Sequence, residues 1–213
     1  MEEIFKKYPL LKNQNVSRET LIEFEQFRSM LQQGNEEINI ISKETANNKV
    51  IRERHIVDSA QIIEFVDLNS DIITDIGSGG GMPGIIISIM IKSKKKPIKV
   101  ILYEKSHHKS AFLRKISRDL KLKTEVIQEN IFEAQNLESG TIMARAFKPL
   151  PVILDLVSKN FISYKNLIVF MGINGEKILE ETLINWDFNF ERKKSITNKN
   201  SFLLNIKNIK KKN

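Results

Sequence analysis

The chain has 213 residues, 41% hydrophobic, with no cysteine, a net charge of +8 and a pI near 9.5. The missing cysteine excludes disulfides, thiolate metal sites and a cysteine nucleophile, and fits a cytoplasmic protein. No apolar run is long enough to span a bilayer, and His55, His107 and His108, the three histidines, have poor metal-site spacing, so neither membrane nor metal is expected.

This length supports one good core. The expected organisation is an N-terminal helical extension over 1–66, a catalytic domain over 67–209 and a basic, disordered tail over 210–213. In chain order, Ser17 reads as an N-cap, followed by Leu21, Phe24, Phe27 and Leu31 at helical spacing, with Gly34 as a stop. Asn39 lies in a short apolar loop, and a second helix is expected over 48–65. From Ile72 the pattern alternates. Strands are expected at 72–76, 99–103, 124–127, 141–144, 166–171, 188–196 and 202–209, and helices at 83–90, 106–120, 149–161 and 175–183. The fold class is α/β: a seven-stranded, mostly parallel sheet with helices on both faces and a closing antiparallel hairpin. Four lysines near the end (Lys207, Lys210, Lys211, Lys212) and the cluster Lys92, Lys94, Lys95 and Lys96 concentrate positive charge. That charge suits nucleic acid, and equally a lysine-rich composition on solvated loops.

The segment Asp75-Ile76-Gly77-Ser78-Gly79-Gly80-Gly81-Met82-Pro83-Gly84 sits between apolar runs and reads as strand, glycine turn, helix. A turn of this kind admits a ligand against bare backbone beside a helix N-terminus. Gly79-x-Gly81-x-x-Gly84 fits a dinucleotide fingerprint, and Gly77-x-Gly79-x-Gly81 led by Asp75 fits an S-adenosylmethionine loop. Asp75 favours the second, because a carboxylate suits a sulfonium and ammonium ligand and repels a pyrophosphate. Glu104 is placed to accept ribose hydroxyls in either case.

Four motifs in order carry a resemblance: Asn35-x-x-x-Asn39-x-Ile41-Ser42, Arg54-His55-Ile56-Val57-Asp58-Ser59, the glycine loop, and Ala144-Arg145-Ala146-Phe147, supported by Lys109-x-x-Phe112-Leu113-Arg114. Together they resemble the RsmG (GidB) family, whose members methylate N7 of a guanine in the 530 loop of bacterial 16S rRNA. The resemblance implies a class I, Rossmann-like fold with S-adenosyl-L-methionine as cofactor. Its partner is 16S rRNA or the 30S subunit, as an assembly intermediate or mature, with the enzyme a monomer. It also implies roles for matched residues. Gly77 and Met82 line the methionine and ribose part of the cofactor, with Asp75, Gly79, Gly81 and Glu104 beside them. Ile131 and Phe132 flank adenine, and Arg145 reaches cofactor or guanine. Asn39, Arg54, His55, Phe147 and Lys148 are the RNA-side candidates. The chain departs from the family pattern at Gly34, where a tryptophan is usual, and at Met171 and near Asn200, where basic residues are usual.

The residue chemistry is compatible. Guanine N7 carries a lone pair and no proton, so its methylation needs placement rather than a general base. Arg145 is therefore expected to position, donating to guanine O6. The rival readings are a class I methyltransferase acting on a small molecule or a protein, and a non-enzymatic nucleotide sensor. Structural roles compete residue by residue: Arg145 as a carboxylate partner, His55 as a core-edge residue and Phe147 as core filler.

Overall fold

The computed structural model describes residues 1–8, 14, 16–42 and 46–212. Helix α1 is Glu2–Lys6 and α2 is Arg18–Glu37. A third helical stretch, α3, runs through Asn48–Val50, a π-helical Ile51–Val57, Asp58–Ala60 and a 3₁₀ turn Gln61–Glu64. The sheet strands are β1 Ile72–Ile76, β2 Lys99–Tyr103, β3 Thr124–Ile127, β4 Leu137–Ala144, β5 Phe161–Met171, β6 Trp186–Lys194 and β7 Phe202–Lys211. Helices α4 Gly84–Ser93, α5 His107–Asp119, α6 Leu150–Asn160 and α7 Gly175–Asn185 connect them.

The order across the sheet is β3-β2-β1-β4-β5-β7-β6, and only β7 runs against its neighbours. The chain leaves β1 toward β2 and returns on the other side as β4, so the crevice beyond the carboxyl ends of β1 and β4 is the topological switch where such sheets bind ligands. The all-apolar run Ile85–Ile87 sits in a helix buried from Gly84 to Ile91, with α2, α3 and α5 packed around it on one face. Helices α6 and α7 cover the other face through Leu150, Leu154, Val157 and Leu179.

The expected strands and helices all form: β1, β2 and β3 have the expected bounds, β4, β5, β7 and α7 run longer, α4 starts one residue later and ends three later, α5 and α6 are one residue shorter at each end, and β6 lies two residues earlier. Two local expectations are corrected. Gly34 does not stop α2, which continues a further turn to Glu37. At Gly34 a Cβ would lie 2.6 Å from the Phe112 ring, so the missing side chain lets α5 pack close. The turn after α2 is closed by Asn35, whose Oδ1 accepts from the Ile40 and Ile41 N–H groups, both at 2.8 Å. The basic tail is not free either. Lys210 and Lys211 pair with Asp187 and Trp186 as the end of β7, and the Lys212 N–H donates to the Asn185 carbonyl at 2.9 Å. Sheet hydrogen bonding outweighs lysine solvation here, because each strand donor otherwise loses its partner. Residue 213 of the expected tail lies outside the described residues. Among the described residues no helix is long and apolar enough to cross a membrane.

Candidate functional site

The glycine loop leaves β1 at Ile76 and closes on itself before α4. The Gly77 and Ser78 N–H groups donate to the Tyr103 carbonyl of β2 at 3.0 and 2.9 Å, tying the loop to the neighbouring strand end. Glu104 adds a second tie: one carboxylate oxygen accepts from Gly79 N at 2.9 Å, the other from Ser106 N at 2.8 Å. Each oxygen keeps a further lone pair, so the carboxylate still has capacity for ribose hydroxyls. Gly79 has φ +54°, and a Cβ there would meet only the Gly77 carbonyl, at 3.8 Å. This is the open position of the loop, where a ligand lies against bare backbone. Gly77 is different, because a Cβ there would lie 2.2 Å from the Phe147 ring. Phe147 covers Gly77 and stacks on the exposed Phe132, with ring centroids 5.9 Å apart.

Asp75 is buried, and its Oδ2 accepts the Gly84 N–H at 3.0 Å, capping the start of α4. Its Oδ1 is buried with no partner. Burial drives the carboxyl up to about 7, reinforced by nearby Glu104 and opposed by the Gly84 hydrogen bond and the Arg145 charge. A buried carboxylate oxygen lacking a donor, at the head of a glycine turn, fits a cationic ligand end. With the open face of Gly79 and the exposed Phe132, these residues fit S-adenosylmethionine.

Ile131 and Phe132 follow β3 as expected for an adenine-flanking loop. The Ile131 side chain is buried, so Phe132 is the exposed partner. The loop is held from below by Asn160 at the end of α6, whose amide donates to the Ile131 and Phe132 carbonyls, both at 3.3 Å, and to that of Ala134. Asn160 carries no motif signal; only its position at the helix end, beneath the loop, gives it this role.

Arg145 emerges from β4 into a second cavity of about 380 Å³, lined among others by Arg54, Asp58, Phe170, Met171, Asn198 and Phe202. Its guanidinium pairs with Asp58 at 3.0 Å, reaches the Ser59 hydroxyl at 3.5 Å, donates to the Arg54 carbonyl and lies over the Phe170 ring at 5.5 Å. Burial pushes the guanidinium below its ordinary range, against the charges of Asp58 and Asp75. The next residue, Ala146, has φ +49°. A left-handed alanine is unfavourable, and its turn swings Phe147 back over Gly77. The sequence reading missed Asp58 as the partner of Arg145, although it lies in the Arg54–Ser59 motif.

Other expected residues are placed as follows. Met82 is 8% exposed and belongs to the apolar cluster that holds Ile40 and Leu31, directly after Gly81 of the loop. His55 is half-buried, with both ring nitrogens buried and without a hydrogen-bond partner, and burial, with Arg145 and Arg54, drives it down to about 4, which disfavours a charged contact with RNA. A neutral imidazole offers a phosphate no charge. Phe147 lies in the cofactor crevice rather than on the outer surface. Gly81 (φ +89°) is closed in by Ile85 and Leu113 and serves the turn itself. Asn39, Arg54 and Lys148 are exposed. Met171 is 6% exposed and packs with Phe202 while lining the cavity under Arg145, so an apolar side chain stands there where the family pattern has a lysine. Asn200 is exposed in the β6–β7 turn, its N–H donating to the Asn198 side chain at 2.9 Å.

Comparison with known proteins agrees with this geometry. Among solved structures, a SAM-dependent methyltransferase from Aquifex aeolicus superposes with a TM-score of 0.55 at 13% identity, over 73% of this chain and 92% of that one. The fold is thus the class I methyltransferase fold. The chain is 83% identical over its whole length to the whole of "Ribosomal RNA small subunit methyltransferase G" of Pelagibacter ubique. It is 34% identical to the protein of the same name from Orientia tsutsugamushi, over 92% of this chain and 94% of that one. Residues 20–208 match the model of the GidB family, described as rRNA small subunit methyltransferase G. The chain belongs to the GidB family, the S-adenosylmethionine-dependent rRNA small subunit methyltransferases G.

Proposed function

We propose that this protein methylates N7 of a guanine in the 530 loop of 16S rRNA, acting as a monomer in the cytoplasm on rRNA or on the 30S particle. Residues 67–209 form the catalytic domain, and 1–66 an extension that walls the acceptor cavity. The observation that carries the reading is the cavity under Arg145, beyond the carboxyl ends of β4 and β5, with Arg145 near enough to Asp75 at the head of the glycine loop to act on its charge. It holds a fixed guanidinium, and its one carboxylate, Asp58, is already occupied by hydrogen bonds. Such a pocket suits a reaction that moves no proton. Guanine N7 would supply the lone pair for the new N–C bond and has no proton to lose, so no residue here need act as a base. When bound, S-adenosylmethionine supplies the electrophilic methyl group.

The chain's own residues place the partners. Glu104 takes the ribose hydroxyls, Phe132 stacks on adenine, and Gly79 admits the cofactor to the loop. Asp75 faces its cationic end. Arg145 donates to guanine O6, leaving N7 free to attack. Phe170 lies beneath Arg145 and offers a ring for the extruded base. Arg54, Asn39 and Lys148 are exposed toward the RNA side. The direct test is nucleoside mass spectrometry of 16S rRNA from a strain lacking the gene. One 7-methylguanosine should disappear from the 530 loop and return on complementation. An unchanged 7-methylguanosine content would overturn the assignment.

A further inference from the structure

The most connected polar group near the acceptor cavity is Asp58, from the short α-helical turn of α3. Its Oδ2 faces the Arg145 guanidinium at 3.0 Å. Its Oδ1 accepts from Gln61 Nε2 at 2.7 Å, from the Thr197 hydroxyl at 2.6 Å and from the Ser195 hydroxyl at 3.2 Å. Gln61 completes the bracket, its Oε1 accepting the Ile196 N–H at 3.0 Å. One carboxylate thus joins three parts of the chain: the N-terminal helical stretch, the end of β4 and the turn between β6 and β7.

This arrangement commits Asp58 Oδ1 to three donors and Oδ2 to the Arg145 guanidinium, which suits it to holding Arg145 rather than to acting as a base. It does fix where Arg145 points and what charge the cavity presents. The reacting system is cationic throughout: positive charge starts on sulfur and ends on the methylated guanine. An unpaired guanidinium beside the guanine opposes that charge as it moves inward, whereas a paired one presents its donors with little net field.

We infer that Asp58 is a positioning residue for methyl transfer: held in place by Gln61, Ser195 and Thr197, it orients Arg145 and neutralises it. The inference rests on the reading of Arg145 as the guanine contact.

The test compares Asp58→Asn, Arg145→Ala and the double variant, using tritiated S-adenosylmethionine and small-subunit particles from a strain lacking the gene. Asp58→Asn should lower kcat about tenfold or more while cofactor affinity by calorimetry stays within about twofold, because the glycine loop does not depend on Asp58. The double variant should be no worse than Arg145→Ala alone, since Asp58 acts through Arg145. A purely structural Asp58 would instead give additive losses, and that result overturns the inference. If Arg145→Ala loses turnover while Asp58→Asn keeps it, the inference fails and the reading of Arg145 stands. If Arg145→Ala itself turns over normally, the underlying reading fails first. Should Asp58→Asn not fold, as judged by circular dichroism, Asp58→Glu retains the charge and shifts it by one methylene. It should also lose turnover, and a normal kcat would overturn the inference.

Discussion

In the glycine loop the decisive contacts are short in sequence: Gly84 N–H to Asp75 spans 9 residues and Gly79 N–H to Glu104 spans 25. Around the acceptor cavity they are long: Arg145 to Ser59 spans 86 residues and Thr197 to Asp58 spans 139. The glycine loop itself is therefore fixed by one β–turn–α unit and its neighbour strand. The acceptor cavity exists only when the N-terminal helices and the last hairpin are both docked. Damage to one region should leave the other working, and that separation is open to measurement.

The largest expected effect is on the local half. Gly79→Val places a β-branched residue at φ +54°, on the open face that admits the ligand. Calorimetry should detect no S-adenosylmethionine binding, while the melting temperature falls only modestly and RNA affinity persists. Binding of NAD by the parent protein, with no affinity for the methyl donor, would break the comparison at its root.

Next comes Arg145→Ala, on the long-range half. A charge-assisted hydrogen bond to the base is worth roughly 1.5–3 kcal/mol, or about ten- to 150-fold in turnover when removed. The variant should fold, since the glycine loop holds itself through Glu104 and Asp75. Cofactor affinity should drop less than kcat, and an equal drop in both would move Arg145 to the cofactor side.

A smaller effect concerns pH. Asp75 titrates near 7 in the folded protein against an ordinary value of 3.8, so between those values the folded state holds more protons than the unfolded one. Its contribution therefore lowers stability as pH rises from about 4 to 7. His55, driven down to about 4 from 6.5, acts with the opposite sign, its stabilisation being lost as pH falls through that window. Asp75→Asn should make the urea midpoint rise more steeply between pH 4.5 and 7, leaving the His55 contribution exposed. An unchanged slope would show that Asp75 is not protonated in the folded state. Because a cation beside Oδ1 favours the carboxylate, cofactor binding near pH 6.5 should also release protons, read from calorimetry in buffers of different ionisation enthalpy.

The smallest effect is at the basic end. Lys210, Lys211 and Lys212 lie along β7 and just beyond it, and Lys211 sits 5.8 Å from the Trp186 ring. Glutamine at all three should flatten the salt dependence of RNA binding by about one unit for each phosphate no longer neutralised. An identical slope would mean that these lysines are only solvated strand residues.

Much of the architecture was legible because it repeats short rules. Apolar alternation marked the strands, Ser17 marked the start of α2, and consecutive glycines after an apolar run marked the cofactor turn. The errors have physical causes. Gly34 was read as a stop from its intrinsic propensity, but close packing against Phe112 decided its place. The terminal lysines looked like a frayed tail until strand pairing with β6 claimed them.

The sequence alone determined the chemistry on offer: a glycine turn led by Asp75, an acid at the next strand end in Glu104, no cysteine nucleophile, and an arginine following Ala144 at the end of the fourth strand. Local residue order suffices there, because each feature depends on neighbours within one supersecondary unit. Only the tertiary structure decided that Asp58 holds Arg145, that Asn160 supports the loop bearing Phe132, that Phe147 covers Gly77, and that the ring nitrogens of His55 are buried and its pKa driven down. Those roles arise from contacts between segments far apart in the chain, whose geometry and dielectric exist only once the helices and the hairpin have closed on the sheet.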